Sequence, residues 1–101
     1  TIITDVENDK SGIPRYFSLE QNYPNPFNPS TIIRYQLPTS EFVSLRIYDL
    51  LGREVVELVN EYQTAGYREV TFNAESLPSG IYVYRLTARK YSGAKKLLLL
   101  R

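Results

Sequence analysis

Phe42-Val43-Ser44-Leu45-Arg46-Ile47-Tyr48-Asp49, continued by Leu50-Leu51-Gly52-Arg53, decides the fold. Val43, Leu45 and Ile47 alternate with Ser44, Arg46 and Tyr48, the period of two of a strand with one apolar and one polar face. Asp49 to Arg53 then reads as a tight hairpin loop, a type I turn closed by a G1 bulge. The bulge needs a residue in the left-handed region, and only glycine enters it cheaply, so Gly52 is expected at positive φ.

Working outward, the same grammar repeats. Strands are expected near Tyr16–Gln21, Thr31–Leu37, Phe42–Asp49, Glu54–Val59, Tyr67–Asn73, Gly80–Thr87 and Lys95–Leu100. Val, Ile, Tyr, Phe and Thr fill these runs, and Pro, Gly, Asn and Ser separate them. Only Arg53–Tyr62 competes as a helix, because Val55, Val56, Val59 and Tyr62 fit a 3.6-residue period. Its Val-Val pair is β-branched and it follows a hairpin turn, which favours a strand. About seven short strands with regular turn signals predict an all-β sandwich of antiparallel strands.

Thr1 to Arg15 is expected to be a linker, with Tyr16 to Arg101 forming the domain. The linker mixes Asp5, Glu7, Asp9 and Lys10 with a few aliphatic residues at no period. A first residue other than Met suits a piece of a longer chain, and the opening residues lack the basic start and apolar run of a signal peptide. Any export signal of that kind would have to lie elsewhere.

Composition closes off most chemistry. The chain has no Cys and no His. Thiolate and imidazole metal sites, Ser-His and Cys-His pairs and the commonest general base are therefore excluded. Gly52 and Gly66 are isolated, so no phosphate loop exists. Asp49 and Glu54 flank one turn and are the only pair considered for calcium, without the loop spacing such sites use. No cofactor is implied, and an enzyme is the poorest reading. Twelve Lys+Arg against eleven Asp+Glu, interspersed, argue against nucleic acid. No apolar run approaches the ~20 residues of a membrane helix.

Three segments are candidates for recognition. Tyr23-Pro24-Asn25-Pro26-Phe27-Asn28-Pro29-Ser30 holds three prolines, which stiffen it into a turn-rich crossover between sheets, with Phe27 plugging the core. A stiff loop loses little entropy on binding. Asn28-Pro29-Ser30 is barred from glycosylation by its proline. Lys95-Lys96-Leu97-Leu98-Leu99-Leu100-Arg101 breaks the alternation, putting leucines on both strand faces; one face needs a cover, a partner or strand addition. Its bracket of Lys95, Lys96 and Arg101 would limit unwanted pairing and steer an acidic partner. Finally, Tyr82 and Tyr84 share a strand face with Leu86. They could form a sugar-stacking platform or, more blandly, packing with hydroxyls at the rim.

Taken in order, these motifs resemble the type A C-terminal sorting domains of the type IX (Por) secretion system. The resemblance rests on Phe17 to Thr31, on Val43 to Val55, on Leu77-Pro78-Ser79-Gly80-Ile81-Tyr82-Val83-Tyr84, and on Lys95 to Leu100. It implies a seven-stranded immunoglobulin-like sandwich at the end of a larger cargo protein of the Bacteroidetes. It also implies export through the periplasm, reading by an outer-membrane translocon, and cleavage by a surface sortase in the linker or anchoring at the surface. The residues assigned to recognition are Pro24, Asn25, Pro26, Phe27, Asn28 and Pro29 with Lys95, Lys96, Leu97, Leu98, Leu99, Leu100 and Arg101. Gly52 and Gly80 would hold the backbone at turns. Two other functions fit the residues: a retained assembly module that associates through its final strand, and a carbohydrate-binding module.

Overall fold

The computed structural model describes residues 12–101. It contains seven strands: β1 (Ser18–Leu19), β2 (Ser30–Leu37), β3 (Glu41–Tyr48), β4 (Glu54–Gln63), β5 (Gly66–Asn73), β6 (Gly80–Ala88) and β7 (Tyr91–Leu99). They form two sheets, ordered β1-β2-β5 and β4-β3-β6-β7, and every ladder is antiparallel. The expected strands are all present. The N-terminal one shrinks to two residues, and the last begins four residues earlier than expected. Most of the expected linker lies outside the described residues.

The apolar face of β3 explains the architecture. Val43, Leu45 and Ile47 are fully buried, and the matching inward residues of β6 are Tyr82, Tyr84, Leu86 and Ala88. Across the interface the three-stranded sheet contributes Ile33, Tyr35, Leu37 and Phe72 to the same core. Burying this face supplies most of the driving force, at roughly 25 cal/mol per Å² of apolar surface removed from water. The chain crosses between sheets after β2, after β4 and after β5, as an immunoglobulin-like sandwich requires.

Two irregularities account for the helix-like spacing of Arg53–Tyr62. Register shifts between Leu45 and Arg46, and between Ile47 and Tyr48, leave Leu58 and Val55 of β4 unpaired. Each extra residue flips the strand face, so Val55, Val56 and Val59 all reach the core although they do not alternate. A doubly bulged strand thus mimics a 3.6 period.

The β3–β4 hairpin closes as a bulged turn. The N–H of Gly52 donates to the carbonyl of Asp49 at 3.0 Å, the N–H of Asp49 to that of Arg53 at 2.9 Å, and Gly52 has φ +85°. The Asp49 carboxylate accepts the N–H groups of Leu51 and Arg53 and the Arg53 guanidinium at 2.8–3.0 Å. These contacts, led by the Arg53 backbone bond, hold its pKa below the usual carboxylate value. They also correct the calcium reading: the oxygens of Asp49 are already used, and Glu54 turns towards Arg46 at 3.8 Å.

Candidate functional site

The Pro-rich segment leaves β1 and returns into β2, two neighbours in one sheet, so it is not a crossover between sheets. Instead it folds over the rim of the sandwich and lies against the free edge of β7. Its peptide bonds Tyr23-Pro24, Asn25-Pro26 and Asn28-Pro29 are cis. Phe27 is buried, its ring 5.8 Å from that of Phe72, and it closes the end of the core.

The contact with β7 is made group by group. The Gln21 amide donates to the carbonyl of Lys96 at 2.7 Å. The N–H of Leu98 donates to the Asn25 side-chain oxygen at 2.9 Å. The N–H of Phe27 donates to the carbonyl of Leu98, and the N–H of Leu100 to the carbonyl of Phe27, both at 3.0 Å. An edge strand normally presents such groups unpaired. Here the chain itself satisfies them, as a short parallel bridge between Phe27 and Leu99. Further along, the ring of Phe17 stacks on that of Tyr91 at 5.4 Å.

This arrangement limits strand addition to the C-terminal strand: a partner would have to use Tyr91 to Lys95 or displace the chain's own loop. From Lys96 to Leu100 the edge is occupied. The leucine run is resolved in the same way. Leu97 and Leu99 are buried in the core, Leu98 is half-buried and Leu100 exposed. Arg101 is a tether, not a free cation: its guanidinium donates to the carbonyls of Ala74 at 3.0 Å and Leu77 at 2.7 Å, and its N–H to the Ser79 hydroxyl at 2.9 Å. Lys96 remains exposed. Gly80, at φ +154°, begins β6 beside this tether.

A buried polar network that sequence reasoning missed fixes the loop from within. The Asn22 amide donates to the carbonyl of Pro24 at 3.1 Å and to the Thr31 hydroxyl at 3.0 Å, and that hydroxyl donates to the same carbonyl at 2.8 Å. The Tyr84 hydroxyl donates to the carbonyl of Glu20 at 2.6 Å and accepts the N–H of Asn22 at 2.8 Å. Asn22 and Thr31 are the buried polar residues of the described chain. Nothing in the local sequence marks an Asn before Tyr-Pro as interior; only the closure of the loop over β6 puts it there.

The tyrosine platform is likewise corrected. Tyr82 and Tyr84 face the core, buried with Leu86. The Tyr82 hydroxyl donates to the carbonyl of Pro78, four residues upstream, at 2.7 Å, the arrangement of a tyrosine corner. Burial pushes the Tyr84 hydroxyl up to about 12, and the Tyr35 hydroxyl in the same direction. The rings that would stack on a sugar are therefore not available to one.

What the loop and the terminal strand present outward is a stiff surface of Tyr23, Pro24, Asn25, Pro26 and Asn28 beside Lys96 and Leu100, all exposed. Among the described residues no cluster of three Asp, Glu, His or Cys could hold a metal. The surface offers shape and hydrogen bonds, with Lys96 as its one ionised side chain.

The pattern of secretion-system C-terminal sorting domains matches residues 21–100. No curated protein matches the chain in sequence. Among solved structures, dimeric latent PorU of Porphyromonas gingivalis is similar in fold at a TM-score of 0.64 and 20% identity, over 81% of this chain and 9% of PorU. PorZ, a surface component of the type IX secretion system of the same bacterium, is similar at 0.58 and 20%, over 97% of this chain and 13% of PorZ. The chain thus spans a small fraction of the length of either. A sorting-domain match over residues 21–100 gives its membership: the chain belongs to the C-terminal sorting domains of type IX secretion, a family of export signals of secreted and cell-surface proteins and not of enzymes.

Proposed function

We propose that this chain is the signal that carries an attached cargo across the outer membrane, and that it is read as a folded domain. The observation that supports this most is the union of the Pro-rich loop with the terminal strand. Pro24 to Pro29 and Lys95 to Arg101 lie far apart in sequence, yet hydrogen bonds from Asn25, Phe27 and Gln21 weld them into one surface. That surface exists only once the sandwich has closed, so a translocon that contacts it senses completed folding. Rigidity serves the same end, since a preorganised loop loses little entropy on docking.

In this reading the outer-membrane translocon is the partner of the loop-and-strand surface. The segment from Thr1 to Arg15 is the tether to cargo, where a surface sortase cuts before release or anchoring. A reporter with its own signal peptide, fused ahead of residues 1–101, tests the reading in a type IX-competent bacterium and in its translocon-null derivative. Reporter at the surface or in the medium of the competent strain alone is expected, with mass spectrometry showing loss of the domain from the mature product. Reporter held in the periplasm of both strains would contradict it.

A further inference from the structure

The outer face of the four-stranded sheet carries a second surface, which meets the loop-and-strand surface at Lys96. From Ser76 to Arg101 the chain has the cations Arg85, Arg89, Lys90, Lys95, Lys96 and Arg101 and no acidic side chain. Arg89 is neutralised by Glu41 at 3.2 Å, and Arg101 is spent on carbonyls. Arg85 and Lys96 form no ion pair among the described residues; Arg85 makes only a 3.3 Å contact with the Ser92 hydroxyl.

The register places these two around Val83. Val83 lies opposite Lys96, Arg85 opposite Ala94, and on the other side Arg85 lies opposite Arg46. Like charges directly across a ladder are unfavourable. Arg46 is only loosely compensated, by Glu54 at 3.8 Å and Glu57 at 3.7 Å, and its Nε is withdrawn from solvent without a hydrogen-bond partner. Next to this excess of positive charge is a cavity of about 360 Å³ lined by Tyr48, Asp49, Leu50, Gly52, Val83 and Arg85. Its volume falls within the range of small-ligand and side-chain sites. Apolar side chains adjoin it: Leu50 of its lining is 64% exposed, Leu51 next to it in the turn 79%, and Ile81, two residues before Val83 on the same strand, 42%. Exposed apolar residues gathered beside unpaired cations mark an interaction surface.

We infer that this face docks an acidic, apolar-anchored peptide segment of a partner protein, with a carboxylate on Arg85 and Lys96 and an apolar side chain in the cavity beside Val83 and Leu50. Charge complementarity favours a peptide over an anionic membrane. Asp49 lines the cavity itself, and Glu54 and Glu57 lie on the β4 side of Arg46, so together they would repel a continuous negative surface. A carboxylate between Arg85 and Lys96 sits instead on the β7 side of β6, away from all three.

The probe is acetyl-Asp-Leu-Asp-Leu-Asp-amide, compared with its Asn-for-Asp counterpart, titrated into the isotope-labelled chain of residues 1–101 and followed by amide resonances. Saturable shifts at Leu50, Val83 and Arg85 are expected with the acidic peptide. They should weaken at least tenfold with the Asn peptide, and at least tenfold in Arg85→Gln, whose spectrum reports that it stays folded. Arg89→Gln, on a cation already paired, should bind as the parent does. Equal binding of both peptides, binding unchanged by Arg85→Gln, or shifts confined to other faces would overturn the inference. So would co-sedimentation with phosphatidylglycerol vesicles in the absence of peptide binding. The readout involves no secretion, so its failure leaves the sorting function standing.

Discussion

The buried hydroxyl of Tyr84 accepts the backbone N–H of Asn22 at 2.8 Å, and so ties the centre of β6 to the start of the Pro-rich loop. The same oxygen donates to the carbonyl of Glu20 at 2.6 Å. One side chain thus satisfies two backbone groups that closure of the loop removes from water. Tyr84→Phe leaves both unpaired, at about 1–3 kcal/mol each. A drop in urea-unfolding stability of about 2–6 kcal/mol is expected, with the fold retained. A loss below ~0.5 kcal/mol would show that the loop does not depend on this tie.

Burial also gives the protein an alkaline limit. The Tyr84 hydroxyl titrates at about 12 in the folded chain, because burial penalises the anion, and near its ordinary value of 10.0 once unfolded. Between those values the unfolded chain has released a proton that the folded chain keeps, so stability falls as pH rises. The contribution is complete below pH 10 and declines by about 1.4 kcal/mol per pH unit above it. Tyr35 is shifted in the same direction and adds to the decline. Unfolding curves from pH 9 to 12 should show this slope, reduced in Tyr84→Phe; a flat profile would contradict it.

Gly52 answers for the hairpin. Its φ of +85° is costly for any residue with a Cβ, although a Cβ there would meet nothing within 4 Å. Gly52→Ala should therefore destabilise by about 1–2 kcal/mol through backbone conformation alone. Gly52→Asn, which tolerates the left-handed region, should cost less. Equal losses in the two variants would point to a contact instead.

The hydrogen bond from Leu98 to Asn25 can be read directly by hydrogen exchange. Asn25→Ala removes the acceptor while leaving Phe27 in the core. The Leu98 amide should exchange at least tenfold faster, while the inward amides of β7 that bond β6 keep their rates. Unchanged exchange at Leu98 would mean that the loop does not seal the edge.

Much of the fold is legible in the sequence because strands with one buried face must alternate. Val43, Leu45 and Ile47 announce the core, and Asp49 to Arg53 announce their hairpin. Phe27 is legible as a plug, being the one large apolar side chain among prolines and asparagines. What stays hidden depends on contacts between distant residues. The three prolines reveal a stiff loop but not which edge it covers, so the occupied edge of β7 could not be foreseen from Lys95 to Arg101. Tyr82 and Tyr84 look alike from outside or inside a sheet until the facing sheet is placed. Asn22 is polar, and its burial follows from partners at Thr31 and Tyr84 that no local pattern links. Membership of the sorting-domain family is readable from the ordered motifs, which are the Pro-rich loop, the core hairpin and the late strands.

The most direct test of the central claim is surface delivery of a reporter fused to a domain whose loop-and-strand surface is altered without unfolding it. Asn28→Ala with Lys96→Ala changes two exposed side chains, and the melting temperature should stay within a few degrees of the parent. Phe27→Ala, which empties a core position at a cost of about 3–5 kcal/mol, serves as the destabilised comparison. The account predicts that the folded double variant leaves the reporter in the periplasm, with surface delivery reduced at least tenfold, and that Phe27→Ala also fails. Delivery of the double variant at the parent's level would contradict the claim that the loop-and-strand surface is what the translocon reads.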